Sequence, residues 1–420
     1  MIDAIKASFN YGRFFLVIIM GVISIPFMLF CSETLIWVGA AFGMLVLLGE
    51  LFFGKDLEDW EFDHPELFYP LQYIAMVGAF LTQIVCVWLI AAPEVDMLGI
   101  GAAVHSLTGF DTLAAREESS LLFLGTSFLL SGAAVAISSV VVGHELTHRK
   151  DRPIAHLIGR LGQCTGYFTY FSIRHPYGHH NLVATPADPA TALRGESYYH
   201  FSVRSILGQY KMTWDLEKTR LSKMGLSTWS WKNEAMRWWI IEAIMTVGYI
   251  YLAGWVALPV LVLFGLTSHF ALESANYIEH YGLVRVPSEP MQLRHSWNSN
   301  ERMANWVVCA VPRHSHHHSD ADVEFWELKS FDHDAPTTIL GYIPSMMLAL
   351  VPTLWHPIMN IKLMDWDNNW ASAEERKLAN IQSMASGQSD LIYHAQQSDP
   401  TLVDPNAEVA PSSAIGSAYA

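Results

Sequence analysis

Residues 14–31 read FFLVIIMGVISIPFMLFC, eighteen positions without a charge. Such a run leaves few folds open. Only a helix or a closed barrel satisfies every backbone N–H and C=O inside lipid, and a helix needs roughly 20 mostly apolar residues to cross it. The pattern recurs at 35–49, 69–92 and 121–143, and residues 238–272 have room for two closely linked spans with a glutamate near each end. Six helices are therefore expected, at about 14–32, 34–52, 69–92, 121–142, 237–254 and 256–274. The composition agrees: 51% of residues are hydrophobic and 15% charged, and mean hydropathy is +0.23, too apolar for an ordinary soluble domain. The first run does not read as a signal peptide, because a second span follows it with no small-residue cleavage site between.

Basic residues set the expected orientation. Arg149, Lys150 and Arg152 follow the fourth span, and Lys6 and Arg13 precede the first. With an even number of spans both groups lie on one side, which the distribution of Lys and Arg makes cytoplasmic. Residues 144–236 and 275–382 then face the cytoplasm and 93–120 the opposite side. Segments 154–173 and 337–359 are apolar but interrupted by Arg160 or by prolines, and are expected to pack against the membrane rather than cross it. Residues 1–382 form one membrane domain, and 383–420, rich in Ser, Ala, Gln and Asp, read as a flexible tail.

A formal net charge of −15 argues against nucleic-acid binding. Cys31, Cys86, Cys164 and Cys309 contain no CxxC pair, so no disulfide framework, rubredoxin-like iron site or zinc ribbon is expected. The anomaly is histidine, with 19 residues. Ten of them fall in HELTHRK (His144, His148), RHPYGHHN (His175, His179, His180), NYIEHYGL (His280) and RHSHHHSD (His314, His316, His317, His318). On a helix, i and i+4 lie about 40° apart, so His144 and His148 face one way. His314, His317 and His318 likewise share a face, with His316 about 200° round from His314. Grouped imidazoles at one membrane face have no packing rationale, whereas neutral imidazole is the commonest transition-metal ligand near pH 7. His64, His105, His156, His200, His269, His333, His356 and His394 read as satisfied polar residues.

HELTH fits the HExxH pattern of zinc proteases, but that reading leaves the other clusters without a purpose. The clusters hold too many imidazoles for one tetrahedral ion and suit two ions with four or five ligands each. A site of imidazoles without thiolates favours iron, copper or zinc over magnesium or calcium. A metal transporter would instead place its ligands near mid-membrane, and these sit at span ends and beyond.

The boxes HxxxH, HxxxHH and HxxHH resemble those of the membrane fatty-acid desaturases and hydroxylases. NYIEHYGL, with HHNLVATPADPATALRGES at 179–197, LSKMGLSTWS at 221–230 and HSWNSN at 295–300, resembles the bacterial integral-membrane alkane hydroxylases and their xylene monooxygenase relatives. Arg174 before the second box and Ser315-His316 within the last depart from the usual alkane hydroxylase residues. FWELKSFDHDAP at 325–336 and DWDNNWASAEERKLA at 365–379 look more like the xylene branch. NYIEHYGL argues against an acyl-chain desaturase.

The resemblance implies an all-α six-helix transmembrane bundle with a cytoplasmic, histidine-rich di-iron cap, in a bacterial inner membrane. It implies two iron ions held by His144, His148, His175, His179, His180, His280, His314, His317 and His318, and O2-dependent hydroxylation of a terminal methyl group of an alkane. The alternative is a methyl group on an aromatic ring. Electrons are expected from a separate rubredoxin or ferredoxin with its NAD(P)H-dependent reductase. Glu145, Asp188 and Glu279 are candidates to orient metal-bound imidazoles, as is His295. Arg149, Lys150, Arg152, Arg174 and Arg313 are candidates to dock an acidic donor. Trp37, Phe42, Phe52 and Phe53 on the second span are candidates to line a route for the hydrophobic substrate from the lipid.

Overall fold

Five helices are long and apolar enough to cross a membrane: Phe9–Leu29, Glu33–Phe52, Pro65–Ile90, Leu121–His148 and Ala257–His280. They belong to a computed structural model that describes residues 9–92 and 94–403. Lys6 and the part of the expected tail after residue 403 lie outside the described residues. The segment expected to span at 237–254 forms the 20-residue helix Glu234–Ala253, packed on Ala257–His280. Its Glu234, Arg237 and Glu242 make it less apolar than the other five. The described residues contain no strand, only the isolated bridges Lys55–Glu301 and Asn298–Thr337.

The polar residues within the spans are answered locally. Ser131 and Ser139 return their hydroxyls to the carbonyls of Ser127 and Val135, at 2.6 and 2.7 Å, as a hydroxyl in an apolar medium must. Small residues let the helices approach. A Cβ on Gly21 would lie 2.1 Å from Ser138 Oγ, so the first and fourth helices cross there nearly backbone to side chain. The first part of the segment expected against the membrane forms helix Pro153–Thr165, which Pro153 begins and which carries Arg160 within it. Segment 337–359 breaks into Tyr342–Ala349 and the start of Pro352–Asn369, because Pro352 can begin a helix but not continue one.

Above the spans, the 275–398 region folds back as short helices on a core that includes Trp297, Phe325, Trp326, Trp355 and Trp366. Two buried ionic pins hold it. The Arg194 guanidinium grips Asp367 with two bonds of 2.7 and 2.8 Å, both side chains fully buried. Glu50, near the end of the second span, accepts the N–H of Ala304 and that of Tyr342, each at 2.8 Å. One carboxylate thus caps the N-termini of two helices, Arg302–Val307 and Tyr342–Ala349, where the unpaired N–H groups favour negative charge.

The reading of 383–420 as flexible fails for its first part. Residues 389–398 form a helix that buries Leu391, Ile392 and Ala395. Three apolar positions one turn apart seat it on Ala373–Met384, too short a stripe to stand out in a polar segment.

The double cap has a measurable consequence. Glu50→Ala leaves two buried N–H groups without acceptors, each costing about 1–3 kcal/mol. The thermal midpoint of the detergent-solubilised protein should therefore fall clearly, whereas Glu33→Ala at the opposite, exposed end of the same helix should leave it nearly unchanged. Equal midpoints for the two variants would remove the cap from the architecture.

Candidate metal centre

Four chain segments deliver imidazoles to one place. The fourth span loosens into a π-helical turn at Ile137–Val142 before its last stretch, Gly143–His148. A second π-helical turn carries His175–His179. Such wide turns re-aim the residues after them and recur at functional sites. Here the first sends His144 and His148 the same way, their rings 5.3 Å apart. The fifth long helix ends on His280, and the short helix His314–Ser319 supplies the rest.

The rings form two adjoining groups. His144, His148, His175 and His317 make one and His179, His280, His314 and His318 the other, all eight buried, with the ligand atoms of each group within 4.8 Å of one another. His180 stands between them, its Nε2 3.0 Å from that of His175 and its ring 4.8 and 4.5 Å from those of His317 and His318. All nine residues singled out by motif are thus brought together. His316 is not: its Nδ1 accepts the Lys329 N–H at 2.8 Å and its ring meets Phe331.

The spacing of the nitrogens speaks for a cation. His144 Nε2 lies 2.9 Å from His175 Nε2 and 3.1 Å from His317 Nε2, and His280 and His314 approach to 3.2 Å. Two imidazole nitrogens sharing a metal at about 2.1 Å sit roughly 3.0–3.4 Å apart. His148 Nε2, His179 Nε2 and both nitrogens of His318 are buried and have no hydrogen-bond partner among the described residues. Burial first, then repulsion from neighbouring imidazoles, holds His175, His180, His314, His317 and His318 well below the ordinary histidine range. They are neutral at pH 7, each with a lone pair to offer.

The four candidate orienting residues divide. Asp188 Oδ2 lies 2.8 Å from His179 Nδ1, and both residues are sealed from solvent. The contact makes Nδ1 the protonated nitrogen and turns the Nε2 lone pair inward. Glu279 Oε2 lies 3.2 Å from His314 Nε2, while its Oε1 accepts the Tyr342 hydroxyl at 2.7 Å. Glu145 touches no histidine of the cluster: it pairs with Arg149 at 3.0 Å and accepts the Phe325 N–H. The His295 ring points away, bonded to Glu375 at 2.6 Å. Its neighbour Ser296, and the His295 backbone, meet His280 instead.

The expected basic docking set is mostly internal. Arg149 is buried between Glu145, Glu324 and the carbonyls of Asp322 and Val323. Arg174 is fully buried and donates to Gln209 at 2.5 Å. Arg313 is fully buried, donating to the carbonyls of Asp56, Glu58 and Leu328 with its guanidinium over Trp60. Their charges hold loops together. Lys150 and Arg152 alone of the five reach the surface, Lys150 lying 3.6 Å over the Tyr177 ring.

The expected route residues also point elsewhere. Trp37, Phe52 and Phe53 are exposed on the outside of the second span, at 74, 76 and 56%, where large aromatics anchor a helix in lipid. Phe42 packs at the edge of the core. The opposite side of the same helix, Gly43, Val46 and Leu47, lines a cavity of about 290 Å³ with Met20, Val140, Leu272, Val307 and Met346. His144, His175, His314, Glu279 and Tyr342 line it as well. Residue size drew attention to the aromatic side of the helix; the small Gly43 is the feature that leaves room. Tyr342, Ser296 and Glu50 were not read from the sequence, since nothing local marks them.

Residues 119–347 match the family model for fatty acid desaturases. The chain is 34% identical over 344 residues to the alkane 1-monooxygenase of Ectopseudomonas oleovorans, covering 79% of this chain and 78% of that one. It is 40% identical over 235 residues to alkane 1-monooxygenase 1 of Alcanivorax borkumensis, covering 53 and 56%. With the hydroxylase component of the xylene/toluene monooxygenase of Pseudomonas putida it shares 29% over 259 residues, covering 60 and 68%. A multi-pass membrane protein with two histidine clusters facing an apolar cavity, this chain belongs to the alkane hydroxylase family within the fatty acid desaturase superfamily.

Proposed function

We propose that the protein is a monooxygenase that hydroxylates the terminal methyl group of alkanes at a pair of iron ions. One observation carries this: His144 and His175 of one histidine group and His314 of the other line the apolar cavity, so a chain bound in it would lie against both groups. At about 290 Å³ it matches the small end of ligand pockets and suits a slim, unbranched molecule. A methyl on an aromatic ring is the weaker reading, because the xylene/toluene relative is the more distant one.

The nine clustered histidines would hold the metal, each group of four taking one ion with His180 between. Iron bound there supplies the activation of O2, which neither a closed-shell organic side chain nor the alkane provides. The remaining tasks fall to the chain itself. Val46, Val140, Leu272 and Val307 hold the substrate and exclude water. Asp188 fixes the His179 ring. Glu279, held by the Tyr342 hydroxyl, sets a carboxylate oxygen beside His314 Nε2, where it would stand next to the ion rather than behind the ring.

We infer a sixth crossing by Glu234–Ala253. Glu242, within it, accepts the Thr169 N–H at 3.1 Å, so its carboxylate has a partner inside the protein. Six spans put Arg13, Arg149, Lys150 and Arg152 on one side, consistent with a cytoplasmic metal centre at a bacterial inner membrane.

Reducing equivalents would come from an acidic rubredoxin- or ferredoxin-type protein with its NAD(P)H-dependent reductase. An open groove of about 1430 Å³ suits it. Seven Lys or Arg residues line the groove against three Asp or Glu, in a chain whose net charge is −15. Lys150 and Tyr177 are on its wall with Ser172 and Ile173, directly flanking the His175–His179 turn.

Three tests follow. Cells carrying the protein with a matched donor and reductase should convert octane to 1-octanol; no oxygenated product from octane, hexadecane, xylene or cymene would refute the reading. His317→Ala should lose bound iron and activity, while His316→Asp keeps both. Asp188→Asn should weaken metal binding by about 10–100-fold, and Glu145→Gln should retain the metal stoichiometry. Lys150→Glu combined with Lys223→Glu should raise the KM for the acidic donor and flatten its salt dependence, with turnover driven by a chemical reductant unchanged. An unaltered KM would move the docking face elsewhere.

A further inference from the structure

A row of aromatic rings runs from the surface to the histidines through parts of the protein that the proposed reaction does not use. Trp229 is exposed at 74% and meets Trp214 with ring centres 5.2 Å apart. Trp214 stacks on Trp239 at 6.1 Å. Trp239 lies 5.9 Å from Tyr210, and Tyr210 4.4 Å from the buried Tyr170. Phe171, the next residue in the chain, stacks on His175 at 4.4 Å.

Packing alone does not account for the residue types. Phenylalanine is the commonest aromatic in the chain, 21 against 16 tyrosines and 15 tryptophans, yet the five rings before Phe171 are all Trp or Tyr, the aromatic side chains that give up an electron most readily. Tyr170 is fully buried, and its hydroxyl has no hydrogen-bond partner among the described residues; nor has the buried Trp239 Nε1. A buried polar atom without a partner costs stability, and phenylalanine would pack in either place without that cost. An unsatisfied group of this kind calls for a chemical role.

We propose that Trp229, Trp214, Trp239, Tyr210 and Tyr170 form a wire that carries oxidising equivalents from the metal centre to the surface. The proposal rests on the O2-activating reading above. When the centre is oxidised and no C–H bond is in the cavity, one electron moves from the wire to the centre. The vacancy forms on Tyr210, with Tyr170 only bridging the distance to the centre, passes outward through Trp239 and Trp214, and is filled at Trp229 by a one-electron reductant in solution, such as a thiol or a reduced redox protein. The centre is reduced by one electron and the external reductant oxidised by one.

Tyr170, whose hydroxyl has no proton acceptor among the described residues, bridges the electron's path and is not itself converted to a phenoxyl; the bond broken is the Tyr210 O–H, and it is remade. The Tyr210 hydroxyl lies 3.2 Å from the Tyr167 carbonyl, to which it can donate, and 3.3 Å from His269 Nε2; His269 Nδ1 lies 2.8 Å from the Gly265 carbonyl, which makes Nδ1 the donor and leaves Nε2 as the one of the two acceptors that can take the proton outright. The phenolic proton moves to His269 Nε2 as Tyr210 is oxidised and returns as it is reduced. His269, expected to be an ordinary satisfied histidine, is then the proton acceptor of the wire.

Two measurements test this. In the first, the purified full chain is illuminated with a ruthenium tris-bipyridine photo-oxidant and a sacrificial acceptor, and trapped radicals are read by electron paramagnetic resonance. This arm needs neither O2 nor turnover. Exposed tyrosines such as Tyr251 are oxidised directly, so the readout is the part of the tyrosyl signal that Tyr210→Phe removes; Trp239→Phe should lose most of that part, and Trp239→Tyr, which keeps an oxidisable ring, should restore it. That part unchanged in Trp239→Phe overturns the wire. In the second, iron-loaded protein is cycled with reductant and O2 without substrate, and oxidised residues are mapped by mass spectrometry. Oxidation should mark Trp229 and Trp214 in the wild type and retreat to Tyr170, Phe171 and His175 in Trp239→Phe. The same inner pattern in both proteins overturns the protective role. No oxidation in either protein, with the first arm intact, counts against O2 activation and leaves the wire standing.

Discussion

Everything above the membrane depends on keeping a set of neutral imidazoles with their nitrogens about 3 Å apart. Without a cation that arrangement is unfavourable, because two lone pairs face each other and buried nitrogens go unpaired. The fold imposes it through attachment. His144, His148 and His280 sit at the inner ends of two long helices, whose positions are set by packing along their full length. His175, His179 and His180 follow a π-helical turn, and His314, His317 and His318 ride a single short helix. No one segment could close either group, so the metal would also act as a clasp between segments 173 residues apart in the chain, such as His144 and His317.

Carboxylates do the complementary work, each placed where a positive or donor group has no other answer. Asp188 takes the His179 Nδ1–H as well as the Thr191 hydroxyl. Glu375 binds both Arg294 and His295. Burial pushes its carboxyl up, but hydrogen bonds from His295, Arg294 and the Ser372 N–H outweigh this and hold it down to about 2, so it stays ionised across physiological pH. Glu50 joins the second span to two helices of the cap. The cavity lies between those same elements, so the residue that fixes the helices also sets the cavity's shape, without lining it.

The sequence made the spans and the histidines legible for a simple reason. Both signals are local, one a long apolar run and the other tight spacing at helical intervals. His316 was separable from its neighbours on the same basis, since one helical period decides which face a residue occupies. What was not legible depended on long-range contact. Arg149, Arg174 and Arg313 looked like surface charges because arginine usually is one; their partners lie up to 257 residues away. Trp37, Phe52 and Phe53 looked like a channel lining because they are large, but a route for a chain needs the side of the helix that lacks bulk. Glu145 looked like a partner for a ligand histidine because it stands beside His144 in the chain; it pairs instead with Arg149, one helical turn on.

Segment 170–180 shows how one short stretch serves several routes. Phe171 and His175, one turn apart, face the cavity. Ser172, Ile173 and Tyr177 form part of the wall of the basic groove. Tyr170 meets the aromatic row, and His179 and His180 turn toward the second group of imidazoles and the boundary between the groups. A strand could present only two faces. A helix advancing about 100° per residue presents several, and its π-helical turn shifts the later residues relative to the earlier ones. On the proposed readings, substrate and electrons would reach the metal centre, and oxidising equivalents would leave it, on different sides of the same backbone, which would keep an inert hydrocarbon, a charged protein and a chain of oxidisable rings from sharing one path.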